Sequence, residues 1–237
     1  MFLICSKWGV ERDDILVQEF LDLPIVLPSK ESPIAKEITR LHDEIARATA
    51  EDDFAKIQVL GKHINELFYA IFELTPIEIE LIEDTIRYTI NLYQEKDNSI
   101  ASAPADRSLF IGYAKRVQAV LSTMIGRKES IQATVYIGSK NVAIVSFSLK
   151  TGNSQDVEVI STPLGTDQLL LRLRKVMTEK ISDKVYFVRR LKIYEERTIY
   201  FIKPTDARFW TRAVSYEDAD NVIGDILETW RETNQLN

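Results

Sequence analysis

Cations interleaved with aromatic rings mark two stretches in the C-terminal half of the chain. From Val185 to Tyr194 the residues alternate as a strand does. One face carries Val185, Phe187, Arg189, Leu191 and Ile193, and the other Tyr186, Val188, Arg190, Lys192 and Tyr194. Lys203 and the run Arg208-Phe209-Trp210-Thr211-Arg212 continue the same character. Rings offer stacking surfaces and Arg or Lys neutralise phosphates, so this is the residue mixture of a nucleic-acid platform. Arg190, Lys192, Lys203, Arg208 and Arg212 are the candidate phosphate contacts, with Tyr194 and Trp210 as candidate stacking groups. Two other readings stand beside it. An exposed antiparallel sheet face is ordinarily polar, with Phe209 and Trp210 anchoring a loop, and the same surface could meet a protein.

Charge sharpens the signal. The 237 residues carry 30 Lys and Arg against 36 Asp and Glu, a formal net charge of −6. Residues 172–212 hold twelve basic and five acidic side chains, a net of +7, which leaves −13 for the remainder.

Other chemistry-bearing groups are weaker. Glu80, Glu83 and Asp84 share a helical face beside Glu78, as a metal site would require. Carboxylates near a helix N-terminus are favoured by the macrodipole, so they read as a solvated face, as does Tyr216-Glu217-Asp218-Ala219-Asp220. Asp156 and Glu158 on a strand could serve a metal-dependent nuclease, but no lysine follows at the usual spacing. His42, His63 and the single cysteine, Cys5, cannot assemble a Cys/His zinc cluster. No two of the eight glycines are separated by one residue, which excludes a G-x-G-x-x-G loop, and the phosphate loop G-x-x-x-x-G-K-[ST] is absent. G-x-S-x-G and H-E-x-x-H are missing too, so no cofactor, metal or complete enzyme is expected within this chain.

The elements that must position these groups change character along the chain. Residues 1–30 read as an extended arm, with Pro24 and Pro28 opposing helix. Ser32-Pro33 starts a helix whose stripe is Ile38, Leu41, Ile45 and Ala48. A second stripe, Phe54, Ile57, Leu60, Ile64, Leu67 and Ile71, completes an antiparallel helical hairpin. Thr75-Pro76-Ile77-Glu78 opens a third helix to about Glu95, and Phe110 to Met124 forms a fourth. Residues 31–126 are therefore expected to be helical. Beyond Arg127, Ile131–Gly138 and Asn141–Leu149 form a hairpin and Asp156–Ile160 a third strand. A helix capped at Thr166-Asp167, a second hairpin around Glu195-Glu196, and a last helix capped by Ser215 follow. The fold class expected is α+β: an N-terminal helical hairpin or bundle, then residues 127–237 as a mainly antiparallel sheet with helices on one face. No apolar run reaches the roughly 18 residues of a membrane span. With one cysteine and no signal-peptide pattern at the N-terminus, a cytoplasmic setting is expected.

Two stretches carry a family resemblance. SKWGVERDDILVQEFLDLPIVLP, residues 6–28, is similar to the end of a target-recognition region in restriction–modification N6-adenine DNA methyltransferases. Ile64-Asn65-Glu66-Leu67-Phe68-Tyr69 and Phe72-Glu73-Leu74-Thr75-Pro76-Ile77-Glu78-Ile79 resemble that family's C-terminal phrase. The family's Phe-x-Gly-x-Gly loop for S-adenosylmethionine and its Asn-Pro-Pro-Tyr turn are absent, so methyl transfer does not carry over. The resemblance implies a non-catalytic DNA-recognition or accessory module working with a separate methyltransferase chain. The alternative is a protein-interaction or regulatory module without nucleic-acid binding, with the hairpin as a homodimer interface.

Overall fold

The computed structural model describes residues 26–126, 128–138, 141–153, 156–178 and 190–235, and the side chains of these except 174–178 and 234–235. Residues 1–25 of the expected arm, with Cys5, and the part of the expected strand at 184–189 lie outside the described residues. The chain divides into two compact units, Met1–Ile79 and Glu80–Asn237. This boundary lies far from the change of pattern at Arg127, because the fourth helix expected in the helical segment packs on the sheet.

In the first unit, α1 (Pro33–Ala50) and α2 (Phe54–Ile71) form the expected hairpin. Each start is chemically specified. Ser32 Oγ accepts from the Ala35 N–H at 3.2 Å, ahead of Pro33 in the first turn. Asp53 Oδ1 accepts from Lys56 N–H at 3.0 Å. Helix α3 is a rod of three parts: α-helical Pro76–Asp84, a π-helical turn Thr85–Ile90 and α-helical Asn91–Glu95. Its capping box is formed, since Glu78 Oε2 accepts the Thr75 N–H at 2.8 Å. The boundary between the units falls within this rod.

The second unit is built on a five-stranded sheet in the order β3-β1-β2-β5-β4. The strands are β1 (Glu129–Tyr136), β2 (Val142–Thr151), β3 (Glu158–Ile160), β4 (Leu191–Glu195) and β5 (Thr198–Pro204). All neighbours pair antiparallel except β1 and β3. Strand alternation sorts the core. Ile131, Ala133 and Val135 of β1, Val145 and Phe147 of β2, and Phe201 of β5 face α4 (Arg107–Ser122) and α6 (Arg212–Gln235). Ile144, Ile193 and Tyr200 point to the opposite face, where Leu169 and Leu173 of α5 (Pro163–Thr178) cover part of the sheet. The α+β architecture with a mainly antiparallel sheet is thus as expected, but its helices lie on both faces and not one, because Ile144, Ile193 and Tyr200 give α5 an apolar seat on the second face.

Two expected caps are corrected. Thr166 is buried inside α5, where its Oγ accepts the Gly138 N–H at 3.0 Å and ties the helix to the end of β1. Ser215 lies in the first turn of α6, whose cap is Thr211, accepting from Val214 N–H at 3.2 Å.

Candidate functional site

Strand parity decides the fate of Lys203. It follows Phe201 on the same face of β5, and that face is the core. Its side chain is 1% exposed. The ammonium donates to Asp218 of α6, to the Tyr113 hydroxyl of α4 at 3.2 Å and to the Phe209 carbonyl at 3.2 Å. Tyr113 also donates to Asp218, at 2.6 Å. The rings of Tyr113, Trp210 and Phe201 lie 4.5, 5.1 and 5.5 Å from the ammonium, a cation–π cage. Burial pushes the Lys203 ammonium down to about 8, opposed by Asp218. Burial, then the Asp218 charge, lifts the Tyr113 phenol well above its ordinary value. Lysine, tyrosine and aspartate in contact are a proton-transfer set, but this one is sealed in the core.

Trp210 is fully buried, edge-on to Phe110 and Tyr113, with its indole N–H on the Pro204 carbonyl at 2.7 Å. Neither Lys203 nor Trp210 can reach a nucleic acid. Both expected contacts are corrected for that reason.

Of the acidic residues read as solvated faces, Glu78, Glu83, Glu217 and Asp220 are exposed as expected, whereas Asp84, Glu80 and Asp218 turn out to be anchors. Asp84 is buried and accepts from Arg212 Nε and Nη2 at 3.0 and 2.9 Å, while its second oxygen caps α6 at the Ala213 N–H, 2.8 Å away. Arg212 also reaches Glu83 at 3.0 Å. Burial opposes the charge on Arg212, but these carboxylates outweigh it and raise its pKa. Glu80 accepts from Arg116 Nε at 3.0 Å and from the Tyr216 hydroxyl at 3.1 Å. The Arg116 hydrogen bond holds the Glu80 carboxyl below its ordinary value. Asp218 is likewise a core group.

The remaining cations repeat the pattern. Arg190 pairs with Glu217 at 2.8 Å, Lys192 with Asp225 at 2.5 Å, and Arg208 with Asp206 at 3.0 Å. The Tyr194 hydroxyl donates to Asp225 at 2.5 Å, and burial together with that carboxylate raises its phenol. Arg172 pairs with Glu195 and Arg197 with Glu129. All seven basic side chains described within residues 172–212 are therefore in ion pairs. Most of the acceptors lie outside that window, on α6, α3 and β1. For these seven, the basic excess reflects internal pairing.

Of the seven predicted residues, Arg190 and Arg208 line the same cavity, of about 320 Å³. The others do not line it. Its lining includes the π-helical turn of α3, which no feature of the sequence announced. Among the described residues, no three His, Cys, Asp or Glu side chains gather as a metal ion requires. Nor is any helix among them long and apolar enough to cross a membrane. No family model, curated protein or solved structure matches the chain.

Proposed function

We propose that this chain is a protein-interaction module that assembles through its helical hairpin, with a second copy of itself as the partner. One observation carries the reading. Helix α2 contains Phe54, Ile57, Val59, Leu60, Ile64, Leu67, Phe68 and Ile71, yet none of its eighteen residues is buried. A helix this apolar ordinarily has a core around it. Ile57, Leu60, Ile64, Leu67 and Ile71 form a half-buried stripe. Phe54, Phe68 and Phe72 fall on an adjoining face, at 72%, 37% and 41% exposure.

Gly61 lies in that phenylalanine row, and a Cβ placed there would meet none of the described residues within 4 Å. Phe54 and Phe68 stand seven residues to either side of it. An antiparallel two-fold pairing centred on Gly61 therefore sets each Phe54 against Phe68 of the partner subunit, a self-complementary match. Two such hairpins close a four-helix bundle.

Nucleic-acid recognition beside a methyltransferase chain, which the resemblance implies, has less support. The cations it needs already hold carboxylates, and phosphates would have to displace them.

Analytical ultracentrifugation tests the reading, with Gly61→Leu as the diagnostic variant. Leucine fills an open position and favours helix, so it should leave the fold intact while blocking close approach. The expected result is twice the chain mass for the parent and a monomer for Gly61→Leu. A monomeric parent at about 100 µM, where even weak dimers assemble, overturns self-assembly. Duplex DNA binding that falls linearly with salt on logarithmic axes would restore the nucleic-acid reading instead.

A further inference from the structure

The cavity of about 320 Å³ lies wholly within the second unit, with residues of α3 on one wall and the turn preceding α6 on another. It falls at the small end of the range for ligand sites. Its two acids are already engaged, Asp84 by Arg212 and the Ala213 N–H, and Glu217 by Arg190. Its two arginines are each paired once, Arg190 with Glu217 and Arg208 with Asp206, and keep donors to spare. Among the described residues Arg190 makes one hydrogen bond, from Nη1, and Arg208 makes one, from Nη2 to Asp206. Arg208 Nε is shut away from solvent with no acceptor among the described residues. A guanidinium has five N–H donors, so most of the capacity here is unused.

The backbone holds Arg208 in place. Its N–H donates to the Ala101 carbonyl at 3.1 Å, and the neighbouring Ala207 N–H to Ala103 at 2.8 Å. The facing wall is the π-helical turn, which brings Thr85, Tyr88 and Thr89 to the cavity together. Such turns recur at functional sites because the wider winding re-aims side chains. Tyr88, Leu92 and Val214 supply apolar surface.

Donors in excess, acids already neutralised and an apolar wall define the complement. We propose that this cavity binds a small organic oxyanion, with a carboxylate or phosphate head facing Arg190 and Arg208 and an apolar or ring-bearing body against Tyr88 and Leu92. A modest turn of the Arg208 guanidinium gives its Nε and Nη groups the oxyanion they lack, in the side-on geometry that arginine favours. The site does not depend on the hairpin or on assembly.

Isothermal titration of the full chain at constant ionic strength tests it. The probes are phenyl phosphate, benzoate and inorganic phosphate. Saturable binding of phenyl phosphate or benzoate is expected, and which of the two binds more tightly identifies the head group. Arg208→Gln should weaken it about tenfold or more, the worth of one charge-assisted hydrogen bond. Thr89→Trp alters an exposed residue on the cavity wall and should block binding with the melting temperature unchanged, which separates occlusion from misfolding. Three outcomes overturn the proposal: no binding by about 10 mM, inorganic phosphate binding as tightly as phenyl phosphate (an adventitious ion only), or affinity unchanged in both variants.

Discussion

Replacing Lys203 by methionine should be among the most destabilising single changes in the second unit. Methionine fits the stem of the lysine, so the packing against Tyr113, Phe201 and Trp210 survives, and what is lost is the charge. Asp218, whose side chain is 7% exposed, is then left in the core without its counter-charge, with the Tyr113 hydroxyl as its one remaining described partner. Leaving one member of a buried pair uncompensated costs about 3–5 kcal/mol. For a chain of this length each kcal/mol moves the melting temperature by about 2–4 °C, so a fall of about 6–20 °C is expected. Asp218→Leu strands the lysine and should cost a comparable amount. The double variant removes both charges and leaves only the Tyr113 hydroxyl and the Phe209 carbonyl unpartnered. It should return to within about 2 kcal/mol of the parent. Urea unfolding followed by circular dichroism, run as a double-mutant cycle, measures the coupling. A double variant as unstable as the sum of the singles refutes the buried pair as described. Sensitivity of the single-variant losses to raised salt would do so too, because a sealed pair is poorly screened.

Asp84→Ala removes the acceptor of Arg212 and of the Ala213 N–H at once. A loss of about 2–3 kcal/mol is expected in urea unfolding, with fraying at the start of α6 visible in hydrogen exchange. The folded Glu80 carboxyl titrates below its ordinary value, so its contribution is complete above about pH 4.5 and is lost as pH falls through the folded pKa. Glu80→Gln should therefore flatten the acid limb of the stability–pH profile and leave the neutral limb with its shape. At Gly138 a Cβ would stand 2.3 Å from the Thr162 carbonyl oxygen and 2.7 Å from Pro163 Cα, both backbone atoms. Gly138→Ala should cost about 1–3 kcal/mol, read as a lower urea midpoint, through forced movement of the start of α5.

Much of the element plan was legible because it is local. The stripe Ile57, Leu60, Ile64, Leu67 and Ile71 can only be a helix face, and the Ser32-Pro33 and Thr75-to-Glu78 caps act within four residues of themselves. The start signals at Thr166 and Ser215 misled for the same reason. Each has the composition of a cap, but Thr166 serves the Gly138 N–H, brought from elsewhere, and Ser215 donates to the Arg212 carbonyl in its own turn while Thr211 takes the cap. The π-helical turn over Thr85–Ile90 has no compositional mark, since its widened winding is set by packing.

The sequence by itself determined which segments are helices and strands, and even the parity that puts Lys203 on the same strand face as Phe201. Whether that face is core or surface, and so whether Lys203 is a phosphate contact or a buried ion, was decided by α4 and α6. The same holds for Arg212 and Asp84, 128 residues apart, and for Tyr113 and Asp218, 105 apart. Periodicity reports the local path of the chain, whereas charge neutralisation is pairwise and non-local, so the basic window gained its meaning only when folding supplied the carboxylates.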